Sequence, residues 1–330
     1  MFTAVLKFAT PIVFGIWAVR HLAKVLSYLG PSLKARQAEN QRGTQAEHSA
    51  NEHIETVPAP VAPVVTGVKG LDILLDGITT FFEELLDDEA NYVIAVTIFA
   101  IMVPGTAWFA VEGLREGGMV LHFAFPVLSL LYQVVGISVV APLLWIPLYL
   151  SSAPITTSST LSVATMASVG LGFFLAHIPS AIMVAWPKGH FRTVYGIQLF
   201  QISMAMAWIP FAATPFLFLN EISSSRAEAK FFFAVGAGAV ALHAWLVAKT
   251  MGNIRLVARV WELRSLTACK DSFAKTVGHF IFFESVILYI TLVYAVVLKG
   301  GVEYGAYVLA LTPIVGPAAS LSFAFGHLAL

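Results

Sequence analysis

Charge is scarce in this sequence. Of its 330 residues 12% are charged and 58% are hydrophobic, and the charged share is about half that of a soluble domain. A water-soluble globule is therefore excluded. The 19 Lys and Arg residues balance the 19 Asp and Glu residues, so no net positive field would attract nucleic acid, and we expect no nucleic-acid partner.

The residues that hold metals, phosphates and cofactors are also scarce. Cys269 is the single cysteine, which excludes an intrachain disulfide and a thiolate metal cluster. No histidine has the i+3 or i+4 partner of a metal-binding helix, and no glycine-rich phosphate loop or nucleophile elbow occurs. The acidic string from Glu83 to Glu89 lacks the spacing of a magnesium diphosphate site and has no basic residue nearby in the sequence. We expect neither a metal nor a cofactor.

Long apolar runs are plentiful, and many reach the length of about 20 residues that crosses a bilayer. They predict an all-α, polytopic transmembrane bundle of seven to eight helices with one amphipathic interfacial helix. We expect this multi-pass protein in the endoplasmic reticulum membrane. The candidate spans are an N-terminal anchor and the segments 92–111, 119–150, 161–186, 195–219, 231–248, 279–298 and 304–328.

Composition divides the chain into three parts. Residues 1–30 form an uncleaved signal-anchor or first transmembrane helix, since no small-residue cleavage site follows the apolar run. Residues 31–69 are rich in Gln, Glu, Asn, Ser and Pro and are predicted as a polar, mobile loop. Residues 70–330 form the transmembrane catalytic domain.

One segment has the pattern of an interfacial helix. Between Leu71 and Leu86 apolar residues follow helical spacing, and the acids lie off that stripe. Anionic headgroups would repel this acidic face. We therefore expect the helix to lie near the membrane interface and to pack against the protein's own helices.

The sidedness of the N-terminal loop stays open at this stage. The basic loops 187–192 and 252–275 should be cytoplasmic. Counting back through single spans puts Lys34 and Arg36 on the opposite side, unless the long segment 119–150 re-enters. That segment contains Pro126, Pro142 and Pro147, which are able to kink or break a helix.

Glu284 is a carboxyl inside an otherwise apolar span. Such a group is costly within a bilayer, so it is a functional candidate by default. Burial among bulky neighbours such as Phe280 and Leu288 favours the protonated acid, which is the form that donates a proton. The alternative is a carboxylate hydrogen-bonded to a neighbouring helix.

Glu112 and Arg115 stand three residues apart at the end of another span. They could form a structural ion pair, or a carboxyl oriented by a guanidinium over the mouth of a cavity. A guanidinium partner favours the charged carboxylate, so Glu112 suits an anionic or general-base role.

Several polar and aromatic side chains inside the spans are candidates for binding a substrate. Tyr132, Gln133 and Gln201 supply a phenol and two amides, and Phe283 and Trp208 supply aromatic faces that stabilise cations. His177 is an intramembrane histidine, a residue that commonly makes an interhelical hydrogen bond.

Five stretches carry a resemblance to a known family: Gly70 to Asp88, Glu112 to Arg115, Tyr132 to Gly136, Ala141 to Trp145, and Glu284-Ser285 before Leu288-Tyr289. Together they resemble the larger integral-membrane terpene cyclases of fungal meroterpenoid pathways, of the ascofuranone and macrophorin cyclase type. The resemblance extends over roughly residues 70 to 325. It rests on the arrangement of these stretches. The chain is distinctly longer than the smaller seven-helix meroterpenoid cyclases, so their catalytic acid pair is not transferred.

The resemblance implies an enzyme that protonates a terminal epoxide or olefin of a farnesylated aromatic substrate and cyclises the carbocation. The implied partners are a lipophilic prenylated small molecule, the lipid bilayer, and a prenyltransferase and an epoxidase of the same pathway. A membrane transporter and a non-catalytic lipid-binding protein remain alternatives. A transporter needs a polar path through both leaflets, whereas a cyclase needs one aromatic pocket with an acid at one end. An epoxide hydrolase would need the acid and a base that activates water.

Overall fold

The computed structural model describes residues 2–50, 67–152, 161–217, 225–270 and 272–330. Its helices are α1 (Phe2–Ala50), α2 (Lys69–Asp87), α3 (Glu89–Leu114), α4 (Met119–Val135), α5 (Ile137–Val140), α6 (Ile146–Ser151), α7 (Val163–Ala185), α8 (Leu199–Met206), α9 (Trp208–Leu217), α10 (Ser225–Thr250), α11 (Ile254–Glu262), α12 (Phe273–Gly300), α13 (Val302–Val315) and α14 (Pro317–Leu328). π-Helical turns at Ala141–Trp145 and Arg192–Gln198 join α5 to α6 and precede α8.

The all-α class is confirmed, since these described residues contain no β-strand. The predicted number of seven to eight helices is wrong, because twelve of the helices have eight residues or more. Five are long and apolar enough to cross a membrane: parts of α1 and α10, and all of α3, α7 and α12. Other apolar stretches are divided into shorter helices by glycine turns and π-helical turns. The number of helices is therefore larger than the number of candidate membrane spans.

The N-terminal helix is longer than the sequence pattern predicts. α1 continues to Ala50, so the first part of the predicted loop 31–69 is helical, as its Ala, Gln, Glu and Lys residues favour. Residues 51–66 lie outside the described residues. At its other end the predicted loop stops early, since α2 begins at Lys69.

Ion pairs gather the helix ends at one side of the bundle, here called the Asp87 face. Asp87 pairs with Lys188 and Arg192, both at 2.9 Å, and Asp88 pairs with Arg259. Burial favours the neutral acid, but hydrogen bonds from the two basic side chains outweigh it and lower the pKa of Asp87. The acidic end of α2 is therefore held by tertiary ion pairs with basic residues that are distant in the sequence.

The opposite side, here called the Glu112 face, contains the other ends of the long helices. Arg115 follows α3, Glu228 lies in the first turn of α10, and Lys299 lies in the last turn of α12; all three belong to one ion-pair network. α3 and α12 therefore run from the Asp87 face to the Glu112 face, and α10 runs in the opposite direction.

Two helical hairpins start and end at the Glu112 face. α4 leaves that face, the chain turns at Gly136 (φ +90°), and the α5–α6 segment returns. Tyr149 near the end of α6 contacts Trp108 in the last two turns of α3, with ring centroids 5.0 Å apart. The second hairpin, α13–α14, turns at Gly316 (φ +88°). Tyr304 at its start lies 5.7 Å from His327 near its end, measured between ring centroids.

The hairpins resolve the sidedness of the N-terminal segment. Because segment 119–150 re-enters instead of crossing, it does not reverse the side of what precedes it. α1 has Lys7 near Tyr294 in the last part of α12, and His21 hydrogen-bonded to His279 in the first part of α12. α1 therefore runs from the Glu112 face to the Asp87 face, where the basic loops also lie. The bias of Lys and Arg makes the Asp87 face cytoplasmic.

This topology predicts which loops share a side of the membrane. In a chain whose Cys269 is replaced by Ala, single cysteines at the exposed positions Glu116 and Ser151 should react with an impermeant maleimide from one side of sealed microsomes, and a cysteine at exposed Lys188 from the other. Labelling of Ser151→Cys and Lys188→Cys from the same side would show that segment 119–150 crosses the membrane.

Candidate functional site

A cavity of about 510 Å³ lies between α1, α2, α3, α8, α12 and the corner that joins α4 to α5. This volume lies within the range of about 300 to 1,000 Å³ that is usual for small-molecule sites. The lining is apolar except at one end, where the polar residues are Tyr132, Gln133, Gln201 and Glu284. Four of the nine residues predicted as site residues thus meet in one cavity.

A chain of aromatic rings covers part of the cavity wall. Phe280 packs edge-on against Phe81, which packs against Phe82, at centroid distances of 5.5 and 5.4 Å. Phe82 contacts Phe200 and Phe200 contacts Phe99, at 5.9 and 5.4 Å. Aromatic faces stabilise a nearby cation by about 0.5 to 2 kcal/mol each. The wall is suited to a positively charged hydrocarbon intermediate.

Glu284 caps the N-terminus of the helix that begins at Ile137. Its Oε2 accepts a hydrogen bond from the Ser138 backbone N–H at 2.9 Å, and its Oε1 accepts one from the Ser138 hydroxyl at 2.5 Å. The backbone N–H of Ile137 is a further donor. A helix N-terminus and several donors stabilise a carboxylate, whereas burial disfavours it. The side chain is 3% exposed, so these bonds offset a large desolvation cost.

Gly136 makes the close contact between the Glu284 carboxyl group and the hairpin turn possible. A Cβ atom at Gly136 would lie 2.5 Å from Glu284 Oε1, and the residue has φ +90°. Only glycine adopts this conformation readily, and only glycine leaves the space. The turn of the first hairpin and the position of the carboxyl group are therefore coupled.

The polar side chains of Tyr132, Gln133 and Gln201 differ in the hydrogen bonds that they make. Gln201 donates to the Ile197 carbonyl at 3.1 Å, and Gln133 donates weakly to the Phe200 carbonyl at 3.5 Å. The Tyr132 hydroxyl is buried, lies close to the Gln133 amide, and makes no hydrogen bond of normal geometry. Because a buried hydroxyl without a partner is costly, this group is a candidate to bind a ligand.

The cavity is open on the side formed by α1 and α2. Leu26 on α1 is 48% exposed, and Ile73 and Leu74 on α2 are 60% and 46% exposed, and all three line the cavity. These side chains are aliphatic, and α1 has the length and composition of a membrane span. A lipophilic molecule would reach this opening directly from the bilayer.

The predicted pair of Glu112 and Arg115 forms an ion pair, with Arg115 Nε 3.2 Å from Glu112 Oε1. Arg115 Nη2 also bonds both oxygens of Glu228 at 2.6 and 2.7 Å, and Lys299 Nζ lies 2.5 Å from Glu112 Oε1. Burial alone would lower the pKa of Arg115, but the two carboxylates raise it. The pair does not line the cavity at Glu284, nor the cavities at α13–α14 and α7–α9. That it faces an internal cavity stays a prediction, and the network joins α3, α10 and α12.

The other three predicted binding residues lie elsewhere in the bundle. Phe283 faces α1, where its ring stacks on His21 at 3.8 Å. Trp208 packs against His122, and His177 against Phe173, at centroid distances of 5.5 and 6.3 Å. None of the three lines the cavity at Glu284. Phe283 lies on the side of α12 that packs against α1, where its ring contacts Trp17 and His21.

The family model of the CtvD domain matches residues 38–234, which is more than half of the chain. The chain belongs to the CtvD family. This is a fungal meroterpenoid-pathway family, so membership indicates a protein of secondary metabolism. The five membrane-length apolar helices of the described residues indicate a membrane protein. No curated protein and no solved structure matches the chain significantly.

The CtvD match covers most of the cavity but not all of it. Tyr132, Gln133, Gly136 and Gln201 lie inside the matched residues. Glu284 lies outside them, as does all of α12. The cavity of this CtvD protein therefore combines the family domain with a carboxyl group from the C-terminal part of the chain.

Sequence reasoning missed Gly136, Ser138 and most of the aromatic wall. A signal for Gly136 was present, since a glycine after an apolar helix is a common helix terminator. No local signal pairs Ser138 with Glu284, which is 146 positions away in sequence. Among the described residues no group of three potential metal ligands occurs.

Replacing Gly136 by Ala should lower the thermal unfolding midpoint of the detergent-solubilised protein. The positive φ alone costs about 1 to 3 kcal/mol for a residue with a side chain, and the new Cβ would displace Glu284. The control is Gly238→Ala in α10, where no atom lies within 4 Å of the added Cβ and a helical Ala is favoured. Equal midpoints for the two variants would contradict the coupling of turn and carboxyl.

Replacing Arg115 by Met should destabilise the fold by about 3 to 5 kcal/mol, the usual effect of leaving buried charges without their partner. The matched control is Lys275→Met, which removes the pair between Lys275 and Glu262 at 2.8 Å. That pair is partly exposed and should contribute about 0 to 1 kcal/mol. Both effects are measurable from thermal unfolding midpoints, and a small effect at Arg115 would argue against a structural role for the network.

Proposed function

We propose that this protein is a membrane-bound terpene cyclase of secondary metabolism. It would protonate a terminal epoxide or olefin of a farnesylated aromatic substrate and cyclise the resulting carbocation, without a cofactor. The observation that carries the proposal is the cavity at Glu284, an aromatic and aliphatic chamber with its polar groups at one end. Membership of a meroterpenoid-pathway family supports the substrate class.

The proposed reaction needs a proton, a wall that tolerates positive charge, and exclusion of water. Proton transfer to the epoxide oxygen breaks a carbon–oxygen bond and leaves a tertiary carbocation; transfer to an alkene carbon produces the same kind of cation. An internal double bond then attacks this carbon and closes a ring, and loss of a proton from a neighbouring carbon ends the reaction. Glu284 would act as the proton donor or as its electrostatic partner.

The apolar lining also weighs against the alternatives. A transporter needs polar groups along a path through both leaflets, whereas the polar residues in the part of the lining that the structure describes are Tyr132, Gln133, Gln201 and Glu284. A purely structural protein would have no use for a chamber of this size beside a buried carboxyl. An epoxide hydrolase would need a base that activates water, and the bonds to Ser138 occupy both oxygens of Glu284.

The proposal implies a location and pathway partners. A prenyltransferase must attach the farnesyl chain and an epoxidase must oxidise its terminal double bond before an epoxide substrate can reach this chamber. We place the protein in the endoplasmic reticulum membrane, where a prenylated molecule would reach the opening between α1 and α2 from the bilayer.

Replacing Glu284 by Gln should abolish most cyclase activity while leaving folding intact. The Gln carbonyl can still accept from the Ser138 N–H, and the Gln amide can donate to the Ser138 hydroxyl, which is able to accept. Removing the charge and the titrating proton should reduce the rate about a hundredfold or more. The assay is conversion of a farnesylated aromatic epoxide or olefin by microsomes that contain each variant.

The control for this experiment is Glu303→Gln, an exposed carboxyl in the first turn of α13. It should leave the rate close to that of the wild type. Wild-type turnover by Glu284→Gln would remove Glu284 from the mechanism, and Glu112 would become the next position to test.

A further inference from the structure

We propose that a second cavity, at the Glu112 face, binds the choline head group of a phosphatidylcholine molecule from the non-cytoplasmic leaflet. This cavity has a volume of about 420 Å³ and lies between α10, α13 and α14. It shares no described lining residue with the cavity at Glu284. The lipid site is therefore independent of the cyclase proposal, and the lipid takes no part in the proposed reaction.

The second cavity is an aromatic cage with one carboxyl group. Its described lining consists of four aromatic rings, one carboxyl group and one imidazole: Phe233, Tyr304, Tyr307, Phe323, Glu303 and His327. The ring centroids of Phe233 and Phe323 are 6.2 Å apart. This lining includes no Lys or Arg, so its only full charge at neutral pH is the negative charge of Glu303. The cage therefore suits a cation and disfavours an anion.

Glycines hold two of the rings against the opposite helix. A Cβ atom at Gly236 in α10 would overlap the ring of Phe323 in α14. A Cβ atom at Gly326 in α14 would lie 3.3 Å from the ring of Phe233 in α10. Small residues let two helices approach closely, and here each ring packs on the glycine of the other helix. The two rings are therefore positioned by the fold itself.

The protein's own basic side chains do not fill this cage within the described residues. Their cation–π contacts involve Lys249 and Arg264, which lie at the Asp87 face. Lys299 is the basic residue nearest to Glu303 in the sequence, and it bonds Glu112. The rings and the Glu303 carboxylate are therefore free to attract a cation from outside the protein.

The rings favour a trimethylammonium group over a primary ammonium group. A primary ammonium has three N–H donors, which would lose their water partners among aromatic rings. A trimethylammonium group has no N–H, so its methyl groups can pack on the rings while their faces attract the charge. The attraction of Glu303 for this charge needs no hydrogen bond. Phosphatidylcholine carries the trimethylammonium group, whereas phosphatidylethanolamine carries the primary ammonium.

The surface beside the cage indicates that the choline group belongs to a lipid. Ile314 follows exposed Tyr307 by seven residues, on the same side of α13, and is 72% exposed. Acyl chains can lie along this apolar side while the head group occupies the cage. Exposed Lys230 lies one turn before Phe233 in α10, nearer to the Glu112 face. It adds a positive charge where the lipid phosphate would lie.

The first test compares head groups. Full-length protein purified in dodecyl maltoside is loaded with radiolabelled dioleoylphosphatidylcholine, and unlabelled lipids with the same acyl chains compete for the site. Phosphatidylcholine should displace the label about tenfold more effectively than phosphatidylethanolamine or phosphatidylglycerol, a difference of the size that cation–π contacts provide. Equal displacement by phosphatidylethanolamine would overturn the assignment of a trimethylammonium site.

The second test changes one ring of the cage. Tyr307→Leu should weaken retention of the labelled lipid by about 2- to 30-fold, the effect of losing one cation–π contact. Tyr307→Phe keeps the ring and should retain the lipid like the wild type. The matched control is Phe174→Leu, which removes an exposed ring of α7 outside the cage and should change nothing. Equal retention by Tyr307→Leu and Tyr307→Phe would overturn the proposed site.

A third arm distinguishes the lipid from a soluble choline compound. Phosphocholine has the same head group without acyl chains, so it should displace the label only at concentrations far above those of phosphatidylcholine, because it buries no hydrocarbon on α13. Displacement by phosphocholine as effective as that by phosphatidylcholine would show that the acyl chains contribute nothing, and it would overturn the assignment of a lipid ligand.

Discussion

The hydrogen bonds between Glu284 and the helix that starts at Ile137 are the interaction on which the rest of the site depends. A helical hairpin that turns inside an apolar bundle exposes backbone N–H groups that have no partner in their own helix, and lipid cannot satisfy them. The carboxyl group of Glu284 supplies the missing acceptors. The hairpin tip can therefore lie in the bundle interior, and the side chains around it become the polar end of a cavity whose other walls are hydrocarbon.

The protein contains two kinds of buried charge with different consequences. At the Glu112 face, carboxylates and basic side chains neutralise one another in a network of Glu112, Arg115, Glu228 and Lys299. At the hairpin tip, Glu284 is held by the neutral donors of Ser138 and has no basic partner in the described lining of the cavity. Its carboxyl group therefore borders the cavity without a countercharge, whereas the carboxylates at the Glu112 face are balanced by basic side chains. Residue type alone does not separate these roles, since Glu112 in α3 and Glu284 in α12 are both glutamates within apolar helices.

The sequence predicted the helical class, the amphipathic helix α2 and four of the side chains at the cavity, because each of these has a local signature in hydropathy or in a polar residue within an apolar run. It left re-entry of segment 119–150 open, and it predicted a single span, 304–328, where the second hairpin lies. The three prolines of segment 119–150 suggested kinks, yet Pro126 lies within continuous helix α4 and the chain reverses at Gly136. Which aromatic side chains line the cavity depends on contacts between residues that are distant in the sequence. Phe283 and Phe280 look equivalent in sequence, and only the packing of α1 and α2 against α12 puts Phe280 in the cavity and Phe283 outside it.

The chemistry of the cavity follows from what its walls can and cannot stabilise. The described residues that line it include no Lys or Arg, so a departing diphosphate would have no countercharge there, and ionisation of an allylic diphosphate would place two incompatible ions in a hydrocarbon chamber. Proton transfer to the substrate, as proposed, releases no free anion into the chamber, because the negative charge that balances the carbocation stays on the proton donor of the protein. The wall of aromatic rings from Phe280 to Phe99 is able to stabilise such a carbocation.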